Sequence, residues 1–129
     1  MPVEVTILGY AALLQVGQFL IMALAVNWQL GPKYTAGPRD LPKDITGRAG
    51  RLFRAFNNHF EALIFFTIAV VVVTLGQAGN AQTELCAWLY LCARILYVPA
   101  YAFHVPFLRS SLWGMGFIAT VSMLVIALW

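Results

Sequence analysis

Charge is what this chain has least of. Eight basic and five acidic side chains are spread over 129 residues, 61% of which are hydrophobic. A soluble domain of this length needs more polar surface than that, so the soluble class is excluded. Cysteine is scarce too: Cys86 and Cys92 lie six positions apart in one apolar segment, on different faces and without a matching His or Cys cluster. They read as small buried hydrophobes, and no metal site is expected. No Lys or Arg precedes the first apolar run. Although Ala23-Leu24-Ala25 has the look of a cleavage site, that run is longer than a signal core and is read as a retained span. Tandem repeats, low-complexity tracts and any sign of a second domain are also missing. The net charge of +3 gives no reason to expect nucleic acid as a partner.

What is present is apolar length. Four stretches, roughly residues 5–28, 48–76, 82–104 and 110–129, each reach the roughly 20 residues needed to cross about 30 Å of hydrocarbon. The expected fold is therefore all-α, an integral membrane four-helix bundle that forms a single domain over residues 1–129. Basic residues flank the first and third connections, and the second, Gly76 to Glu84, has none. The positive-inside rule then puts connections one and three in the cytoplasm and both termini on the other side. Without targeting signals, a bacterial inner membrane is the expected location. Gln29 to Gly47 is the one extended polar segment, punctuated by Gly31-Pro32, Gly37-Pro38 and Leu41-Pro42 and kept wet by Lys33, Arg39, Asp40, Lys43 and Asp44. It reads as a cytoplasmic loop, either a plain connector or a cover for the mouth of a site. Ser110 or Ser111 is expected to cap the fourth helix.

Two polar stripes interrupt this apolar pattern. Arg51, Arg54, Asn58 and Glu61 follow one another at spacings of three, four and three, which confines them to an arc of about 80° on a helix. They can face one ligand or one neighbouring helix. Arg94, Tyr97, Tyr101 and His104 repeat the spacing in the third span. Polar groups in such positions are costly in lipid, so something other than lipid faces them. In the simplest case they satisfy one another, with Glu61 paired to Arg94 or Arg54 and Asn58 bonded across helices. Arg51, Arg54 and Arg109 remain in excess, either snorkelling to phosphate headgroups or lining a pocket for an anion. Arg109, beside Ser110 at the expected start of the fourth helix, is also placed to hold a thiolate and to activate a sulfur nucleophile that the protein does not itself supply.

The run Gly47-Arg48-Ala49-Gly50-Arg51-Leu52-Phe53-Arg54-Ala55-Phe56-Asn57-Asn58-His59-Phe60-Glu61 resembles the helix-two signature of the MAPEG family, membrane-associated proteins in eicosanoid and glutathione metabolism. Arg94-Ile95-Leu96-Tyr97-Val98-Pro99-Ala100-Tyr101, followed by Arg109-Ser110, resembles that family's later pattern. The resemblance covers essentially the whole chain. It implies a homotrimer of four-helix subunits that binds glutathione between neighbours near the cytoplasmic face. The implied glutathione-binding residues are Arg51, Arg54, Asn58, Glu61, Arg94, Tyr97, Tyr101 and Ser110, and the implied catalytic residue is Arg109. The chain departs from the family pattern at Asn27, Trp28 and Gln29, where several eicosanoid-making members carry an Arg, and at Trp113, where a Tyr is often found. Pro99 inside the third helix is expected to kink it.

The function this implies is a membrane glutathione transferase, with glutathione peroxidase activity as a companion, acting on a hydrophobic electrophile dissolved in membrane lipid. The protein contributes positioning and electrostatics, and the nucleophile is glutathione's. One alternative is a non-catalytic lipid- or partner-binding membrane protein on the same fold. Another is a small multidrug exporter with Glu61 as its proton carrier, disfavoured because neighbouring arginines hold a carboxylate charged.

Overall fold

The computed structural model describes residues 1–32, 46–103 and 105–129, without the side chain of Arg48. Lys33, Arg39, Asp40, Lys43, Asp44 and His104 lie outside the described residues, so the expectations for loop one and for the last member of the second stripe fall there too. Four helices account for almost everything else: α1 (Val3–Leu30), α2 (Gly47–Leu75), α3 (Ala81–Ala102) and α4 (Pro106–Leu128). Each is long and apolar enough to cross a membrane. In hydrocarbon the backbone must satisfy its own polar groups, and a continuous helix does so within each segment. Phe19, Leu24, Ile64, Phe65, Ile118 and many other large apolar side chains lie exposed on the outside of the bundle. The chain is an integral, multi-pass membrane protein.

The helix ends differ from expectation where local chemistry moves them. Pro106 sits in the first turn of α4 and its fixed φ starts the helix four residues before Ser110. Val105 is the N-cap, no side chain caps it, and the Arg109 N–H already donates to the Val105 carbonyl at 3.0 Å. Neither Ser110 nor Ser111 is a cap. At the start of α3 the cap is Asn80, whose side chain accepts from the Gln82 and Thr83 N–H groups at 2.8 and 3.0 Å. The Thr83 hydroxyl accepts the Asn80 N–H in return at 2.8 Å, closing a capping box. That hydroxyl also donates to the buried Glu4 carboxylate, which ties α1 to α3. Pro99 lies in the last turn of α3, and the helix continues through it to Ala102. Only the Ile95 carbonyl loses its helical donor there.

α2 and α3 form the central pair of the bundle. α1 packs on both of them, α4 also packs on both, and among the described residues α1 and α4 do not pair. The buried face of α1 is the stripe Glu4, Ile7, Ala11, Gln15, Gln18, Met22 and Val26, spaced at three and four. Its two glutamines would be expensive toward lipid, so this stripe is the face that α1 turns to protein. At the far end of α1, the Gln29 side chain accepts the Thr46 N–H at 2.9 Å and donates to the Thr46 carbonyl at 3.0 Å. That two-point clasp joins α1 to the start of α2.

Two apolar clusters fill the interior. One holds Ile7, Ala11, Phe66, Val70, Val73, Tyr90, Leu91 and Met123; the smaller holds Ala55, Ala93, Tyr97, Ala100 and Leu112. At their junction lies a layer of Asn58, His59 and Arg94, in which His59 and Arg94 are buried. The arginine-rich end of the bundle, where α2 and α4 begin and α3 ends, is called here the basic end.

Candidate functional site

At the basic end, the polar stripes of α2 and α3 meet the first turns of α4. Arg51 Nε donates to the Ala102 carbonyl at 2.9 Å and Arg54 Nε to the Tyr101 hydroxyl at 3.3 Å. The Arg109 guanidinium lies 4.8 Å from the centre of the Tyr101 ring, and the Tyr97 ring is 5.6 Å from that of Tyr101. Asn58, Tyr97, Tyr101, Arg109, Ser110 and Trp113 line an open cavity of about 270 Å³. Among the described residues none of Arg51, Arg54 and Arg109 has a carboxylate partner. Unmatched guanidiniums around a polar cavity suit an anionic ligand, because each offers planar, charge-assisted donors.

A second, drier cavity of about 80 Å³ lies deeper, lined in part by Asn58, Glu61, Phe65, Tyr90, Arg94 and Trp113. Asn58 and Trp113 belong to both cavities. The four-residue stripe on α2 is therefore divided. Ten residues of helix rise about 15 Å, so Arg51 and Arg54 lie at the basic end, bonded to Ala102 and Tyr101, while Glu61 lines the inner cavity and Asn58 stands at the boundary.

Arg94 is held from three sides. Its Nε donates to His59 Nδ1 at 3.2 Å, its Nη1 to Asn58 Oδ1 at 3.1 Å, and its guanidinium lies 4.2 Å from the centre of the Tyr97 ring. His59 Nε2 in turn lies 3.1 Å from the Ala11 carbonyl oxygen. A neutral imidazole with its proton on Nε2 meets both bonds, donating to Ala11 and accepting from Arg94. The alternative in which Glu61 pairs with Arg94 or Arg54 is not realised. His59 and Asn58 take the donors of Arg94, Tyr101 takes that of Arg54, and Glu61 stays exposed.

Of the residues singled out from sequence, the outer cavity thus gathers Asn58, Tyr97, Tyr101, Arg109 and Ser110, with Arg54 bonded to its rim. Arg94 and Glu61 line the inner cavity, and Arg51 bonds to the end of α3. Because Arg109 sits in the fourth position of α4, the guanidinium and not a free N–H at the helix end is what it brings to the cavity. His59 and Tyr90 are the additions. His59 stands one residue off the α2 stripe, while Tyr90 precedes Arg94 by four and so extends the α3 stripe by a full turn. That spacing is the signal that points to it.

The pattern that defines the MAPEG family matches residues 7–129. The chain belongs to the MAPEG family. No curated protein matches it. Membership fits the four apolar spans and supports a glutathione-transferase-like or related membrane function. The MAPEG family holds both glutathione transferases and non-catalytic members, and this MAPEG protein has two cavities at its basic end and just beneath it.

Proposed function

We propose that this protein is a membrane glutathione transferase that presents glutathione to hydrophobic electrophiles dissolved in the bilayer. The observation that carries the proposal is the outer cavity, where Arg109 and the rim-bonded Arg54, neither with a carboxylate partner among the described residues, flank Asn58, Tyr97, Tyr101 and Ser110. Glutathione has two carboxylates and one ammonium group. Arg51 and Arg54 suit the carboxylates, Glu61 the ammonium, and Asn58, Tyr97 and Tyr101 offer hydrogen bonds along the peptide. Arg109, with the Ser110 hydroxyl beside it, holds the sulfur as thiolate by stabilising the anion. Arg94 acts beneath this set, orienting Asn58 through the bond from its Nη1. The same thiolate serves peroxide reduction as a companion activity.

The outer cavity is open on one side, and a homotrimer in which a neighbouring subunit closes it fits that shape. The positive-inside pattern supports a cytoplasmic basic end, from which glutathione enters, with both termini on the other side. Ultraviolet difference spectroscopy of the detergent-purified protein with glutathione tests the proposal. A thiolate band that appears on binding and is absent from Arg109→Ala supports the transferase. Saturable binding without any thiolate indicates a non-catalytic binding protein instead.

A further inference from the structure

A string of hydrogen bonds runs from the backbone of α1 to the boundary between the two cavities. His59 Nε2 lies 3.1 Å from the Ala11 carbonyl oxygen, Arg94 Nε donates to His59 Nδ1 at 3.2 Å, and Arg94 Nη1 donates to Asn58 Oδ1 at 3.1 Å. Ala11, His59 and Arg94 are buried, whereas Asn58 is half-buried and lines both cavities.

Two members of the string leave the others no choice of polarity. A backbone carbonyl only accepts, and a guanidinium only donates. Between them, His59 must be neutral with its proton on Nε2, since a proton on Nδ1 would face the Arg94 Nε–H. On the other side of Arg94, Asn58 must turn its oxygen to Nη1. Its Nδ2 is then the group left over: it has no hydrogen-bond partner among the described residues, and unlike the enclosed unpaired groups it keeps accessible surface. What Asn58 offers a ligand is therefore a donor, and what meets it is an acceptor.

Asn58 cannot hold that orientation alone, because its oxygen and nitrogen exchange places by a half-turn of the carboxamide. Arg94 selects one of the two arrangements. His59 in turn supplies the acceptor at Arg94 Nε that sets the plane of the guanidinium, and the Ala11 carbonyl, fixed in the α1 backbone, sets His59. We infer that His59 is a positioning residue for the ligand site: through Arg94 it holds Asn58 with its N–H toward the cavities, where it donates to a peptide carbonyl of glutathione. The identity of that acceptor rests on the glutathione reading; the polarity of the string does not.

The first measurement needs neither a ligand nor a His59 variant. Nitrogen NMR is recorded on the detergent-purified protein labelled at histidine, with His104→Gln identifying the His59 signals, since the chain has two histidines. At neutral pH His59 is expected to carry its proton on Nε2 and to leave Nδ1 bare. A proton on Nδ1, alone or together with one on Nε2, overturns the inference.

The second is a double-mutant cycle on glutathione affinity, read by isothermal titration. His59→Phe is expected to weaken binding by about 3- to 10-fold, the worth of one hydrogen bond. His59→Gln, which restores one donor and one acceptor, is expected to recover most of that loss. In an Asn58→Ala background, where the positioned group is gone, His59→Phe is expected to change affinity by less than about twofold. A general structural disturbance costs the same in both backgrounds, so equal losses overturn the inference, as does an undiminished affinity in His59→Phe. A parent protein with the expected tautomer that binds no glutathione upholds the polarity of the string and refutes the glutathione reading instead.

Discussion

Replacing His59 tests the polar layer that separates the two apolar clusters and fixes Arg94. His59→Phe keeps an aromatic ring, somewhat larger than imidazole, at a fully buried position and deletes two hydrogen bonds, one to the Ala11 carbonyl at 3.1 Å and one from Arg94 Nε at 3.2 Å. The two are not equal. Interhelical hydrogen bonds in membrane proteins average about 0.6 kcal/mol, and the Ala11 carbonyl can keep its helical donor, so that loss is small. The bond from a buried guanidinium belongs to the charge-assisted class, worth about 1.5–3 kcal/mol, and its loss strands Arg94 Nε. The total destabilisation expected is about 2–3 kcal/mol, with the Arg94 bond as the larger part. His59→Gln offers one carboxamide donor and one acceptor and is expected to recover at least half of that loss. Reversible unfolding in mixed micelles, titrated with a denaturing detergent, measures both variants. A His59→Phe protein within about 0.5 kcal/mol of the parent, or a His59→Gln protein no better than His59→Phe, refutes this account of the layer.

Three further outcomes follow from the same geometry. Arg109→Ala is expected to lower kcat by about 100-fold, the range seen on removing one donor to a reacting anion, with a smaller change in glutathione affinity; stopped-flow conjugation assays separate the two, and an unchanged kcat removes Arg109 from the chemistry. Thr83→Ala takes from the buried Glu4 carboxylate its hydroxyl donor and breaks the capping box, for a cost of about 2–3 kcal/mol that Thr83→Ser largely avoids; a thermal melt in detergent ranks the three proteins, and equal midpoints for the two variants contradict the role. Gly116→Ala adds a Cβ at an ordinary 3.6 Å contact with Tyr90 and replaces one of the two glycines inside α4, so about 1 kcal/mol of stabilisation is expected; a lower midpoint shows that Tyr90 cannot accommodate the methyl group.

The four spans and their order are legible in the sequence because membrane helices announce themselves by apolar length, a property that needs no partner to be read. Helix ends are less legible. Pro106 started α4 four residues before the serines chosen as caps, and Asn80 with Thr83 closed a box that looked like part of a loop. The stripes on α2 and α3 are visible from their three and four spacing, since periodicity fixes which side of a helix a residue occupies. Periodicity does not fix depth or partner. Arg51 and Glu61 share a side of α2 and serve different places, and Arg94 bonded to His59 and Asn58 where charge alone pointed to Glu61. His59 was hidden because it stands next to the stripe, and its two partners come from α1 and α3, which only the packed bundle brings to it.

The central claim is that the outer cavity at the basic end binds glutathione. Isothermal titration of the detergent-purified protein with glutathione and with S-hexylglutathione tests it most directly, with Arg54→Ala and Tyr101→Phe measured alongside. The account predicts saturable binding of both ligands by the parent and weaker binding by each variant. The absence of saturable binding in the parent, or affinities that both variants leave unchanged, contradicts it.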